Sequence, residues 1–444
     1  MQYIVIAAIG IILIAASVKL FHQKITAPST IFLAGYAISA LFAYFGSGSW
    51  HDERELSGDT IVMVVGTMLS FFAGSTIINL FRIRKKKSIE NNKANKKEAL
   101  RIIRVDALIL MILGVVLLGT VVMEYMDLRG ICAKYSCSAS SLSDLIGFYR
   151  FKSYLFVDDG ENLSFLTQQL IKISNIIIFS SIYIFINNLL LKDGVKRNIP
   201  YVIFAILSIP IALLQSGRSN LLAFIIGAVV IYVYLYERNN NSEFKISKIV
   251  KKIAPVGIVV IILFYASGAL IGREAKGDID DYTTFYYGCP IPSLNIALRT
   301  GQDDDIELTP LQNSMRGIGK SLGKIGINTD QSKKNSLRFI TLGDYYSNVY
   351  TSGYKLYLDF GLILSFFFTF VSGMTYGLIF KLCNKKGSIV LLIFYSMCVY
   401  RLLDSARSDG FYSTFLTTTT LVNYAMTYLM VKILFREREK NERV

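Results

Sequence analysis

The run IVMVVGTMLSFFAGSTIINL, residues 61–80, passes almost directly into RIRKKKSIENNKANKKEALRIIR, residues 82–104. The first stretch has no charged residue, and at ~1.5 Å of rise per residue it has the ~20 residues that a helix needs to cross the hydrocarbon layer of a bilayer. The second carries Arg82, Arg84, Lys85, Lys86, Lys87, Lys93, Lys96, Lys97, Arg101 and Arg104. Such a density of positive charge beside an apolar run is expected on the cytoplasmic side of a membrane. The pair therefore reads as a spanning helix leaving the bilayer inward.

Comparable runs recur at 107–123, 173–191, 253–271, 360–382 and 415–435. With 53% hydrophobic residues and a mean hydropathy of +0.46, the 444-residue chain is too apolar for a soluble domain of that size. The spacing predicts an all-α polytopic membrane protein of about eleven transmembrane helices. They fall near 2–20, 30–46, 60–81, 107–125, 170–191, 200–215, 219–236, 253–271, 360–382, 388–402 and 414–435. The first lacks a basic leader and a small-residue cleavage site, so it reads as a retained helix.

With 82–104 inside, alternation puts His22–Lys24, Lys192–Arg197, Arg238–Lys252, Lys381–Lys386 and Arg436–Val444 inside too, and each is basic. An odd number of crossings leaves the N-terminus outside and the C-terminus inside. Residues 1–271 then hold transmembrane helices 1–8, with a basic cytoplasmic loop 82–106 and an outer loop 126–166. Residues 272–359 form a large outer, periplasmic loop, and 360–444 hold helices 9–11 and a basic cytoplasmic tail. The net charge of +15 lies mainly in these short loops and sets orientation, so no nucleic-acid partner is implied.

The loop 272–359 contains Tyr282, Phe285, Tyr286, Tyr287, Leu294, Ile296, Tyr345, Tyr346 and Tyr350, more aromatic mass than disordered segments carry. It should fold over the membrane. Metal chemistry is not expected, since the two histidines, His22 and His51, stand away from any cysteine pair. Cys132 and Cys137 are close in sequence, and a small disulfide and two free thiols are the alternatives there. Ser314–Ser321 ends in Gly-Lys-Ser like a phosphate-binding loop, but it lacks the first glycine and lies on the outer side.

Arginines carry the functional signal. Ser216-Gly217-Arg218 joins two spanning runs with almost no loop, which sets Arg218 at a helix N-terminus near the outer interface, a place suited to phosphate or diphosphate. The plain alternative is an arginine snorkelling to lipid headgroups. Arg401, Asp404, Arg407 and Asp409 cluster between the last two helices, with Asp404 and Arg407 on one face if the helix continues; the plain alternative is a surface ion pair. Arg273, Arg299, Arg316 and Arg338 add further guanidinium groups to the outer face, and Tyr286, Tyr287 and Tyr350 offer rings that suit stacking on sugars.

Four stretches together resemble the oligosaccharide repeat-unit polymerases, the Wzy-type O-antigen and capsule polymerases of bacteria. They are Ser216-Gly217-Arg218-Ser219 with the apolar helix after it, Tyr286-Tyr287-Gly288-Cys289-Pro290-Ile291-Pro292, Asn348-Val349-Tyr350-Thr351 leading to Tyr357-Leu358-Asp359-Phe360-Gly361, and Ser405-Ala406-Arg407-Ser408-Asp409. The first 200 residues match only in hydropathy. The resemblance implies a plan like that of the GT-C-type membrane glycosyltransferases, in the bacterial inner membrane, with no metal or other cofactor. It also implies that donor and acceptor are both oligosaccharides on polyprenyl (undecaprenyl) diphosphate, in lipopolysaccharide or other polysaccharide biosynthesis. Other partners would be the lipid bilayer and the chain-length regulator and flippase of the same pathway.

In that scheme Arg218, Arg273, Arg338 and Arg407 bind the diphosphate, Asp409 or Asp359 takes the proton from the attacking hydroxyl, and Tyr286, Tyr287 and Tyr350 bind sugar. An O-antigen ligase, which the resemblance expects to carry a histidine in the outer loop, fits less well, because 272–359 has none. A lipid-linked oligosaccharide flippase is the competing reading.

Overall fold

The computed structural model of the protein describes residues 1–22, 24–80, 100–155, 162–240, 268, 279–301, 311, 313–323, 326 and 337–435. They are almost entirely helical. The order is α1 (Gln2–Leu20), α2 (Pro28–Phe45), α3 (Gly58–Leu80), α4 (Ala107–Lys134), α5 (Leu142–Arg150), α6 (Phe165–Leu190), α7 (Ile199–Leu214) and α8 (Arg218–Asn240). There follow α9 (Ile279–Gly288), α10 (Pro290–Thr300), α11 (Arg316–Gly323), the hairpin β1 (Ile340–Leu342) and β2 (Tyr345–Ser347), α12 (Ser352–Lys386), α13 (Ile389–Leu403) and α14 (Thr418–Leu434).

Among the described residues nine helices are long and apolar enough to cross a membrane: α1 to α4, α6, α7 with the turn before it, α8, α12 and α13. Each coincides with an expected run. The expected segment 253–271 lies outside the described residues except for Gly268. The expected segment 414–435 begins later, at Thr418, because Phe411–Phe415 forms a wide helical turn of its own. The 17 residues of α14 span only ~25 Å, short of a ~30 Å hydrocarbon layer.

The chain divides into two compact units. The first comprises Met1–Ser88, Ala275–Lys386 and Val399–Thr420; the second comprises Ile89–Glu274, Gly387–Cys398 and Leu421–Val444. The division cuts across the linear one because distant stretches of chain share a bundle.

In the first unit α3 packs along α12 at unusually close range. A Cβ on Gly74 would stand 2.0 Å from the Phe370 carbonyl oxygen, and one on Gly373 would stand 2.4 Å from that of Phe71. Without a hydrophobic drive between helices in lipid, small residues that let backbones touch supply the association, and Gly373-Met-Thr-Tyr-Gly377 is such a spacing. Phe32 of α2 stacks on Phe71 of α3, with ring centroids 3.9 Å apart. A helical stretch from Ser352 precedes the expected apolar run at 360, and the two join across a break at Gly361. The first turns of α12 carry Lys355 and Asp359, which hydropathy reads as loop, and they meet the apolar stretch at Gly361, whose φ of 76° and ψ of 177° only glycine adopts readily.

Between α8 and α12 the described residues pack through their aromatic rings. Phe285 of α9 stacks on Tyr345 of β2 at 4.6 Å and meets Trp50 edge-on, and the Trp50 indole N–H donates to Thr284 at 3.0 Å. Cys289 interrupts α9 and α10, and Pro290 starts the second at the position where its missing N–H does no harm. Buried Asn295 of α10 then accepts from the Ser57 N–H and the Thr60 hydroxyl and donates to Glu53, which anchors α10 on the start of α3.

In the second unit α4 packs on α6 and α7, and α6 on α8. Amphipathic α5 opens with a reciprocal cap between Ser141 and Asp144 and lays Leu145, Ile146 and Tyr149 on Leu128, Ile131 and Leu214.

Candidate functional site

The site forms in the first unit where α13 ends. The helix gives way to a 3-10 turn at Asp404–Ala406, and the Arg407 N–H donates to the Asp404 carbonyl at 2.8 Å. Asp404 and Arg407 nevertheless meet, with Nη1 to Oδ1 at 3.1 Å, and their side chains are only 20% and 13% exposed. The pair is therefore not the solvated surface bridge that sequence alone allows. The Tyr400 hydroxyl donates to Asp404 Oδ1 at 3.3 Å and the Ser408 hydroxyl to Oδ2 at 3.1 Å.

The Arg407 guanidinium lies over the Tyr286 ring, 3.9 Å from its centroid, with the Tyr287 ring at 5.7 Å. Its Nε is buried and has no hydrogen-bond partner among the described residues. Burial opposes the charge, yet Tyr286, Asp404 and Tyr400 around it more than offset that, so the guanidinium holds its proton more tightly than a free arginine. Arg407 is thus a desolvated cation gripped on one edge by a carboxylate, backed by an aromatic face, and unsatisfied at its buried Nε. That edge suits an oxyanion, which arginine takes bidentately. The Cys289 thiol lies within the field of Arg407; burial pushes it up, and the Ser347 hydroxyl and Arg407 partly counter this.

The two carboxylates expected as proton acceptors are otherwise engaged. Asp409, 7% exposed, accepts from the backbone N–H groups of Phe411, Tyr412 and Ser413 at 3.0, 3.2 and 2.8 Å, capping the turn that follows. Burial pushes its carboxyl up, and those three N–H groups pull against the shift. Beneath it lies a cavity of about 20 Å³ lined by Ser352, Ser372, Ser405 and Tyr412 among others, room for about one water. Asp359 takes four donors, the N–H and side-chain amide of Asn313 and the N–H and hydroxyl of Ser314, between 2.6 and 3.3 Å. It ties the loop before α11 to α12.

Tyr350 is 2% exposed, donates to the Arg338 carbonyl at 2.8 Å and stacks on Tyr354, so it packs the base of the loop; the Arg338 side chain is exposed. Arg299 pairs with Glu53 at 3.3 Å on the surface. Arg218 is the first residue of α8, in the second unit, and follows Ser216, whose φ of +55° is left-handed. Arg273 lies outside the described residues. Cys132 and Cys137 are both free thiols. His51 is buried at 3% exposure against Trp50 and Tyr3, with Nε2 2.8 Å from the Ala43 carbonyl.

Sequence reading overlooked two groups. Tyr400, one turn before Asp404, had no signal except its spacing. Glu124 of α4, in the second unit, is fully buried; it accepts from Gln215 at 3.1 Å through Oε1, and Oε2 has no partner among the described residues. A lone acid inside the run VVLLGTVVMEYM was the available clue, because ionisable residues at membrane depth mark function. Comparison of the chain with protein-family models, with curated proteins and with solved structures finds no match.

Proposed function

We propose that the protein is a membrane glycosyltransferase that joins polyprenyl-diphosphate-linked oligosaccharide repeat units on the outer face of the cytoplasmic membrane. Departure of a lipid diphosphate from an anomeric carbon places developing negative charge on the phosphate oxygens. A preorganised, desolvated cation at that point accelerates the step. The observation that carries the reading is Arg407, anchored to Asp404 through Nη1, laid on Tyr286, and with Nε unengaged. Tyr286 and Tyr287 supply rings beside it for the first sugar. A transferase of this kind draws on the donor's own diphosphate bond and needs no nucleotide.

The test is chain growth in proteoliposomes supplied with lipid-linked repeat units, read as a ladder of glycolipids. Wild-type protein should build the ladder and Arg407→Ala should stop at single units. An unaltered ladder from the variant would refute the assignment. The flippase reading draws support from Glu124, a buried carboxyl of the sort that transporters use. Under it, protein in liposomes would move single units between leaflets without joining them.

A further inference from the structure

We propose that Asp404 is the group that accepts the proton from the attacking sugar hydroxyl. This rests on the transferase reading above and deepens it. Three carboxylates stand near the end of α13 or at the start of α12, and their partners separate them. A carboxylate has about four acceptor positions. Asp359 fills four with donors from Asn313 and Ser314. Asp409 spends three on backbone N–H groups that cannot turn away, at 7% exposure.

Among the described residues Asp404 is held by side chains alone: the Arg407 guanidinium, the Tyr400 hydroxyl and the Ser408 hydroxyl. Its 20% exposure is the highest of the site's ion pair, and Oδ2 receives a single rotatable hydroxyl. A hydroxyl donor from outside can take the place of Ser408 there without breaking any backbone bond. The Arg407 guanidinium grips Asp404 through Nη1, and its Nε has no hydrogen-bond partner among the described residues.

The step then balances. The acceptor hydroxyl oxygen forms a bond to the donor's anomeric carbon as the bond from that carbon to the phosphate oxygen breaks. The electron pair of the broken bond leaves on the diphosphate against Arg407, and the hydroxyl proton passes to Asp404, to be released to water afterwards. General-base removal is worth about 100-fold to 10,000-fold.

The experiment uses full-length protein in proteoliposomes, with the lipid-linked repeat unit as substrate and sugar-free polyprenyl diphosphate as the binding probe. Asp404→Asn should lower kcat by about 100-fold or more, with donor KM and probe binding within about threefold of wild type, and Asp404→Glu should recover at least about a tenth of the loss. A parallel fall in probe binding and kcat would overturn the proposal, because it would make Asp404 a mere anchor for Arg407. If Asp404→Asn is not recovered from membranes, Asp404→Glu carries the test. It keeps the charge but moves the oxygens, so lowered kcat at unchanged KM supports the proposal and wild-type kcat overturns it. Wild-type protein that makes no chains sinks the transferase reading itself, whereas wild-type chains with an unimpaired Asp404→Asn sink only this assignment.

Discussion

Gly35→Ala should damage turnover from a distance. Gly35 lies in α2, facing the end of α13 just before the turn that carries the Asp404–Arg407 pair, and a Cβ there would stand 2.1 Å from the Leu403 carbonyl oxygen and 3.0 Å from its carbon. Nonpolar atoms settle at about 3.5 Å, so the two backbones must part by more than about 1 Å. A backbone carbonyl has no rotamer by which to escape. Overpacking of this kind costs about 1–3 kcal/mol, and a shift of about 1 Å in groups aimed at a reacting centre lowers rate by about 100-fold. The assay pairs thermal unfolding in detergent with chain growth in proteoliposomes. Gly119→Ala is the control, since a Cβ on Gly119 meets nothing within 4 Å and the change should leave stability unharmed or raise it by up to about 1 kcal/mol. Wild-type stability and turnover in Gly35→Ala would refute the claim that α2 sets the position of Asp404 and Arg407.

Arg407→Lys should lose about 100-fold in turnover, because an ammonium group cannot hold Asp404 on one edge and a phosphate on the other; initial rates of chain growth measure it. His51 gives a pH signature. Burial holds its ring below the ordinary histidine range of about 6.5, so as pH falls past that value the unfolded chain takes up a proton that the folded one refuses, and stability declines. Melting temperature followed from about pH 8 down to about pH 5 should drop less in His51→Gln than in wild type. Gly361→Ala should destabilise by about 1–3 kcal/mol, because φ of 76° with ψ of 177° strains any side chain; urea or thermal unfolding reads it.

Hydropathy and charge made the helices legible, because a spanning segment must satisfy its backbone internally and advertises this as a long apolar run. They did not announce the helical stretch before Gly361, where Tyr354, Lys355 and Asp359 belong to a turn that polar content disguises. The Asp404–Arg407 pairing was readable from its spacing, although a 3-10 turn and not a continued helix delivers it. The aromatic backing of Arg407 was not, since Tyr286 and Tyr287 arrive from α9, far away in the chain. Asp409 and Asp359 drew attention as carboxylates beside arginines, but only coordinates reveal that backbone N–H groups, or Asn313 and Ser314, already occupy them. Arg218 and Arg407 fall in different units, which no linear pattern announces.

Glu124 has a consequence for biosynthesis. Its amide partner Gln215 lies 91 residues further along the chain. When α4 enters the bilayer, that amide has not yet been synthesised, and the carboxyl enters without its partner. The surrounding leucines, isoleucines and valines of α4 must carry the helix in alone, leaving its carboxyl a standing demand for the first polar group to arrive. Delivery of α7 supplies that group, and a Gln215→Leu chain should linger with α4 exposed to membrane quality control.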